Sequence, residues 1–214
     1  MVNSVRSFLT HSAPQLTVRR EMIEITEVEL NEQPEAVLEA YARITSYFRY
    51  SVILDAVIPE RGLGDIILRE RTIPEKEKNY DAIEPPIQWA RSWDLTKWGV
   101  FHALVGGEHV GGCLVAYDTE GVHMLEGRSD LSVLWDIRVS SQHRGQGIGS
   151  QLFSQALRWS KSRGCKKMKI ETQNNNLGAC RFYARMGCSL QSINRFHYQD
   201  FPEEIQLIWS IEIN

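Results

Sequence analysis

The 214-residue sequence has no cysteine pair at C-x-x-C spacing, no long apolar run, no low-complexity tract and no surplus of positive charge. Each absence removes a class of function. Its four cysteines, Cys113, Cys165, Cys180 and Cys188, match no zinc-site spacing, so they read as reduced thiols and no metal is expected. No stretch approaches the roughly 20 apolar residues of a membrane span, and the first ten residues carry no signal-peptide pattern. The expectation is a cytoplasmic protein with no membrane partner. A net charge of −3 leaves no broad basic face for nucleic acid.

What is present is ordinary globular material, 43% hydrophobic and 24% charged, in a length suited to one large domain. Residues 1–16 read as a polar tail and 17–214 as a single domain. Val18 to Val28 reads as a strand, and Glu35 to Tyr47 as a helix with Pro34 in its first turn. Residues 59–96, broken by Pro59, Gly62, Gly64, Pro74, Pro85 and Pro86, read either as a lid or substrate-binding insertion or as an irregular surface segment. From Trp98 the pattern becomes regular. Trp98 to Val105 and Val110 to Tyr117 flank Gly106-Gly-Glu-His109 as an antiparallel hairpin. In the strand Leu131 to Val139, strict alternation puts Leu131, Val133, Trp135, Ile137 and Val139 on one face and Ser132, Leu134, Asp136 and Arg138 on the other. A helix with Ile148, Leu152, Ala156 and Leu157 on one stripe follows, closed by Gly164. Lys167 to Thr172 is a strand, Leu177 to Met186 a helix, and Glu204 to Asn214 a final strand. The class is α/β (α+β).

The junction between the strand at 131–139 and the next helix is the most informative segment. A strand, a glycine-rich turn and a helix in direct succession form an anion site, because free backbone N–H groups and the positive helix end aim at one place. Arg144 adds a side-chain cation there. A P-loop is excluded, since no Lys-Ser/Thr pair follows the turn. A dinucleotide fingerprint would need its third glycine one residue later, although Glu171 stands where that fingerprint wants an acid.

Arg144-Gly-Gln-Gly-Ile-Gly149 resembles the R-x-x-G-x-G acetyl-CoA signature of the GNAT superfamily of N-acetyltransferases. Downstream, Asn176-Leu-Gly-Ala-Cys-Arg-Phe-Tyr-Ala-Arg-Met-Gly187 resembles that superfamily's second signature, N-x-x-A-x-x-F-Y-x-x-x-G, with Cys188 where Phe is common. The stretch Ile170 to Ala184, with Asp200-Phe-Pro202 ahead of a final strand, is similar to the streptothricin acetyltransferases. The resemblance spans residues 97–214. It implies the GNAT fold, a mixed and mostly antiparallel twisted sheet flanked by helices. It also implies acetyl-CoA as cosubstrate and direct acetyl transfer to a primary amine of a small cationic acceptor, with a streptothricin-type antibiotic as one candidate. A protein N-terminal or lysine acceptor, and a non-catalytic acyl-CoA sensor, stay open beside it. Homodimers occur among such domains, so a homodimer stays open too.

The resemblance also distributes roles. Backbone groups of Ile137 and Val139 would hold the coenzyme arm and the thioester oxygen. Arg144, Gly145, Gln146, Gly147, Gly149 and Ser150 would cradle the pyrophosphate, and His143 stands beside them. Asn176 would bond the coenzyme arm, unless its side chain caps the helix. Tyr183 is the candidate acid, because a phenol of pKa about 10 can protonate a thiolate whose conjugate acid is near 8.5. Asp136 and Glu171 are the candidate bases, or anchors for a cationic acceptor together with Asp200, Glu203 or Glu204. Cys180 reads as a buried helix thiol and not as a nucleophile.

Overall fold

The computed structural model describes residues 22–30 and 33–214; the tail expected at 1–16 lies outside these, as does the start of the strand expected from Val18. The elements in chain order are β1 (Ile23–Glu27), α1 (Pro34–Ala42), β2 (Tyr47–Val57), β3 (Ile67–Asn79), α2 (Trp89–Ser92), β4 (Gly99–Val105), β5 (Glu108–Tyr117), β6 (Leu131–Val139), α3 (Ile148–Ser162), β7 (Lys167–Gln173), α4 (Leu177–Arg185), β8 (Ser189–Asn194) and β9 (Gln206–Glu212). Seven strands form one sheet in the order β1-β4-β5-β6-β7-β9-β8, and β2 and β3 form a separate ribbon. All main-sheet pairs are antiparallel except β6 with β7. That pair is bridged by α3, the crossover a parallel pair requires.

The sheet buries a different cluster on each face. Leu152, Phe153 and Ala156 of α3 and Tyr183 of α4 pack on one side with Cys113, Val115 and Leu134. Leu38 and Tyr41 of α1, with Trp89 and Trp98, pack on the other against Leu114, Leu131 and Val133. Helix α1 lies close on the sheet because β5 has Gly112 beneath it. A Cβ there would sit 2.7 Å from both the Phe101 carbonyl oxygen and the Tyr41 ring.

Three expectations change. The helix predicted to reach Tyr47 stops at Ala42, and Tyr47 opens β2. The aromatic and β-branched run Tyr47, Phe48, Tyr50, Val52 favours a strand, and the Tyr47 amide bonds the Thr45 hydroxyl in the turn between them. Residues 67–79 are not irregular; they pair with β2 as a long ribbon bent between Tyr50 and Val52, opposite Pro74. Strict alternation along β6 also fails. Leu114 pairs with Asp136 and Val115 with Leu134, so Trp135 is an extra residue. Such a bulge reverses which face the following side chains take. Ile137 and Val139 therefore join Leu134 beside α3, while Leu131, Val133 and Trp135 lie on the α1 side.

Candidate active site

The bulge at Trp135 also opens the sheet. β6 and β7 are paired only from Leu131↔Lys167 to Leu134↔Ile170. Beyond Leu134, β6 keeps β5 as its partner through Val139↔Gly111, and β7 keeps β9 through Gln173↔Gln206. The two strands part, and among the described residues no strand pairs with the outer backbone edge of residues 136–139. Ile137 and Val139, expected to offer backbone groups, lie on that edge.

The edge leads into the glycine turn. Gly145 and Gly147 adopt φ of 78° and 88°, a left-handed conformation that suits glycine, and a Cβ on either would meet nothing within 4 Å. Gly147 precedes α3, whose N-terminus has no side-chain cap and no acid in its first turn. Its first N–H groups thus face outward with the positive helix end. Arg144 Nε donates to the Val139 carbonyl at 3.1 Å, which holds its guanidinium beside the turn. Gln146 is exposed and reaches back to the Gln142 carbonyl at 3.4 Å. A Cβ on Gly149 would sit 3.5 Å from the Phe182 ring, so α3 and α4 lie close together at this point. Ser150 lies on the exposed first turn, and the Ser140 hydroxyl meets His143 Nδ1 at 3.2 Å.

On the far side of the opening stand the titratable groups. Because of the bulge, Asp136 and Arg138 turn toward α1. Arg138 Nε donates to Asp136 Oδ2 at 2.7 Å, and Nη1 donates to Asp81 Oδ1 and to the Ile44 carbonyl, both at 2.9 Å. Its guanidinium lies 4.8 Å from the Tyr41 ring centre. Burial raises the Asp136 carboxyl above the ordinary range, and the Arg138 charge opposes that rise. Glu171 has both oxygens engaged: Oε1 accepts from Tyr198 Oη at 2.7 Å and Oε2 from Gln206 Nε2 at 2.8 Å. Glu84 is a third carboxyl close enough to feel Glu171 and Asp136; burial raises it first, and a hydrogen bond from Trp89 pulls the other way.

Tyr183 is buried on α4 against Phe153 and Phe182. Burial, and then the charge of Asp136, holds its hydroxyl protonated well beyond the ordinary range. Asn176 caps α4, its Oδ1 accepting from the Ala179 amide at 3.1 Å; desolvation pushes the Tyr80 hydroxyl upward, and the Asn176 side chain opposes that rise. The cap uses only the amide oxygen. Cys180 is buried and its thiol is pushed up to about 12, chiefly by desolvation. Glu204 does not serve as a free pocket acid: it is buried against Lys78 Nζ at 2.7 Å. Glu203 is exposed, 3.7 Å from Lys76.

Tyr80, Glu84, Arg138 and Tyr198, which stand beside the candidate site, were not singled out in the sequence. Arg138 carried a signal, standing two residues from Asp136 on one strand face. The other three come from turns and irregular segments, where no period marks which side points inward.

The Acetyltransferase (GNAT) family matches residues 62–188. This chain belongs to that family. It is 37% identical over 84 residues to a streptothricin acetyltransferase of Escherichia coli, covering 38% of this chain and 48% of the relative. It is 31% identical over 80 residues to streptothricin acetyltransferase A of Bacillus subtilis (strain 168), covering 36% and 46%. The aligned part is thus about half the length of these curated relatives. The crystal structure of a nourseothricin acetyltransferase superposes with a TM-score of 0.68 at 22% identity, over 90% of this chain and 99% of that one. A putative streptothricin acetyltransferase from Bacillus anthracis str. Ames, in complex with acetyl coenzyme A, gives 0.68 at 20% identity over 92% and 100%. At these identities the structural likeness establishes the fold.

The GNAT chain fits an acetyl-CoA on its own geometry. The open β6 edge suits an extended amide-bearing arm, and the uncapped α3 N-terminus with two bare glycines and Arg144 suits a pyrophosphate. Among the described residues no cluster of three or more His, Cys, Asp or Glu is placed to hold a metal, and no helix is long and apolar enough to cross a membrane.

Proposed function

We propose that this protein is an acetyl-CoA-dependent N-acetyltransferase that acetylates a primary amine of a small cationic acceptor of streptothricin type. The observation that carries the reading is the unpaired edge of residues 136–139 lying beside three carboxyls, Asp136, Glu84 and Glu171. Acetyl-CoA supplies the acetyl group as a thioester. The backbone of Ile137 and Val139 holds the coenzyme arm, and one N–H on that edge faces the carbonyl oxygen as charge develops. Gly145, Gly147, Gly149, Ser150, Gln146 and Arg144 receive the pyrophosphate. Of the three carboxyls, Glu171 and Asp136 differ in surroundings and so in task. Glu171, gripped by two neutral donors, anchors the ammonium form of the acceptor. Asp136, raised by burial, takes the amine proton directly or through water. Tyr183 keeps its proton at Oη and delivers it to the departing sulfur. Asn176, through its amide nitrogen, and Tyr80 line the same opening. The β2–β3 ribbon and the segment after it, within the stretch 59–96, serve as the wall that selects the acceptor. Streptothricin acetyltransferases among the relatives support this choice of acceptor.

The test is thiol release from acetyl-CoA with streptothricin, spermidine, a lysine-containing peptide or no acceptor. Turnover is expected with streptothricin, and Tyr183→Phe should lose at least tenfold in kcat while still binding coenzyme. Turnover with the peptide alone moves the acceptor to protein. Coenzyme binding without turnover on any acceptor overturns the catalytic reading.

A further inference from the structure

A chain of hydrogen bonds runs from the ribbon side of the opening to Glu171. Tyr80 Oη donates to Gln173 Oε1. The same amide donates from Nε2 to Tyr198 Oη at 2.8 Å, and Tyr198 Oη donates to Glu171 Oε1 at 2.7 Å. The direction of the chain is determined by its middle member. An amide whose oxygen already accepts must donate through its nitrogen, so the Tyr198 oxygen is occupied as an acceptor and its one proton is left for Glu171. The other Glu171 oxygen is held by Gln206 at 2.8 Å. Tyr198 is part-buried, and desolvation, then the Glu171 charge, pushes its ionisation upward, so the proton stays on the phenol. Tyr198 belongs to the stretch between β8 and β9, and Tyr80 to the turn after β3. Glu171 is therefore oriented by segments that reach it from two sides of the opening.

We infer that Tyr198 is a positioning residue that aims the Glu171 carboxylate at the acceptor ammonium and thereby sets acceptor affinity. This rests on the acceptor reading above. A carboxylate on a free side chain would rotate among several orientations; two donors hold it in one, so less ordering remains when the cation arrives. Removing the Tyr198 hydroxyl leaves the ring in place and frees one carboxylate oxygen.

Steady-state kinetics with streptothricin on Tyr198→Phe, Glu171→Gln and the double variant test it. Tyr198→Phe should raise the acceptor KM about tenfold, the weight of one hydrogen bond to a charged group. The acetyl-CoA KM and the melting temperature should stay put. In the double variant, Tyr198→Phe should add nothing to Glu171→Gln, because its effect runs through that carboxylate. If Tyr198→Phe folds poorly, Gln206→Met removes the other donor and carries the same cycle. Unchanged acceptor KM in Tyr198→Phe, or additive effects in the double variant, overturns the positioning role while the acceptor reading stands. A wild-type protein that binds coenzyme and turns over none of the acceptors overturns both.

Discussion

Single side chains here are set by what surrounds them more than by their own type. Asp136 and Glu171 are both strand carboxylates beside the opening between β6 and β7. One is half-buried against a guanidinium and the other is held by a phenol and an amide. His102 and His109 show the same dependence away from the site. Their rings stack at 4.0 Å between centres, and both Nε2 atoms are buried without a hydrogen-bond partner among the described residues. Burial, helped by the neighbouring His109, pushes His102 down to about 4. His109 is lowered as well, by burial and by Arg43, against a hydrogen bond that its ring donates to the Gly111 carbonyl. A histidine depressed in the folded state takes up its proton more readily when unfolded. The stability that the neutral pair gives is thus complete above about pH 6.5 and is lost as pH falls toward 4. From pH 8 to pH 4 the unfolding free energy should drop by about 1–3 kcal/mol from this pair. Urea unfolding at several pH values checks this, and His102→Phe should flatten the slope.

At the scale of elements, the decisive features are a bulge and a helix entry. One extra residue, Trp135, turns Asp136 and Arg138 to the α1 face and separates β6 from β7 where the coenzyme arm would lie. The entry to α3 depends on Gly147 at φ 88°. Valine there would cost about 1–2 kcal/mol in backbone strain, since β-branched residues avoid the left-handed region. It would also raise a side chain at the mouth of the anion site. Gly147→Val should weaken coenzyme binding by at least tenfold, read by calorimetry with CoA, and lower the melting temperature by a few degrees. An unchanged CoA affinity would remove the turn from the binding site. From residue 98 onward the hairpin, α3, β7, α4 and β9 were legible in the sequence, because each carried an apolar period or glycine punctuation, whereas the short, mostly exposed β8 and the bulge in β6 were not. Nor was the β2–β3 ribbon. Its strand β3, ILRERTIPEKEKN, is charged on both faces and mostly exposed, so no alternation marks it.

The whole molecule brings together residues far apart in the chain. Arg138 joins β6 to the loop after α1 through the Ile44 carbonyl, and to the segment after the ribbon through Asp81. Asp81 in turn accepts from the Ser46 amide at 2.9 Å. Lys78 and Glu204 make a second buried tie, 126 residues apart, from the ribbon to the segment before β9. Removing one partner of such a tie strands the other charge, at about 3–5 kcal/mol. Arg138→Met should therefore destabilise the protein by that order in chemical denaturation, and limited proteolysis should cut first in residues 58–66 at the ribbon tip. Cleavage elsewhere at the wild-type rate would show that Arg138 does not hold the ribbon. The family, the glycine turn and most of the elements from residue 98 onward could be read from the amino-acid sequence, with β8 missed. Those depend on contiguous residues, whose spacing alone places glycines, caps and apolar stripes. The group of polar side chains beside the opening emerged only in three dimensions. Tyr80, Glu84, Tyr198, Arg138 and the two candidate bases meet through a bulge and a set of long-range ties, and neither leaves a period in the sequence.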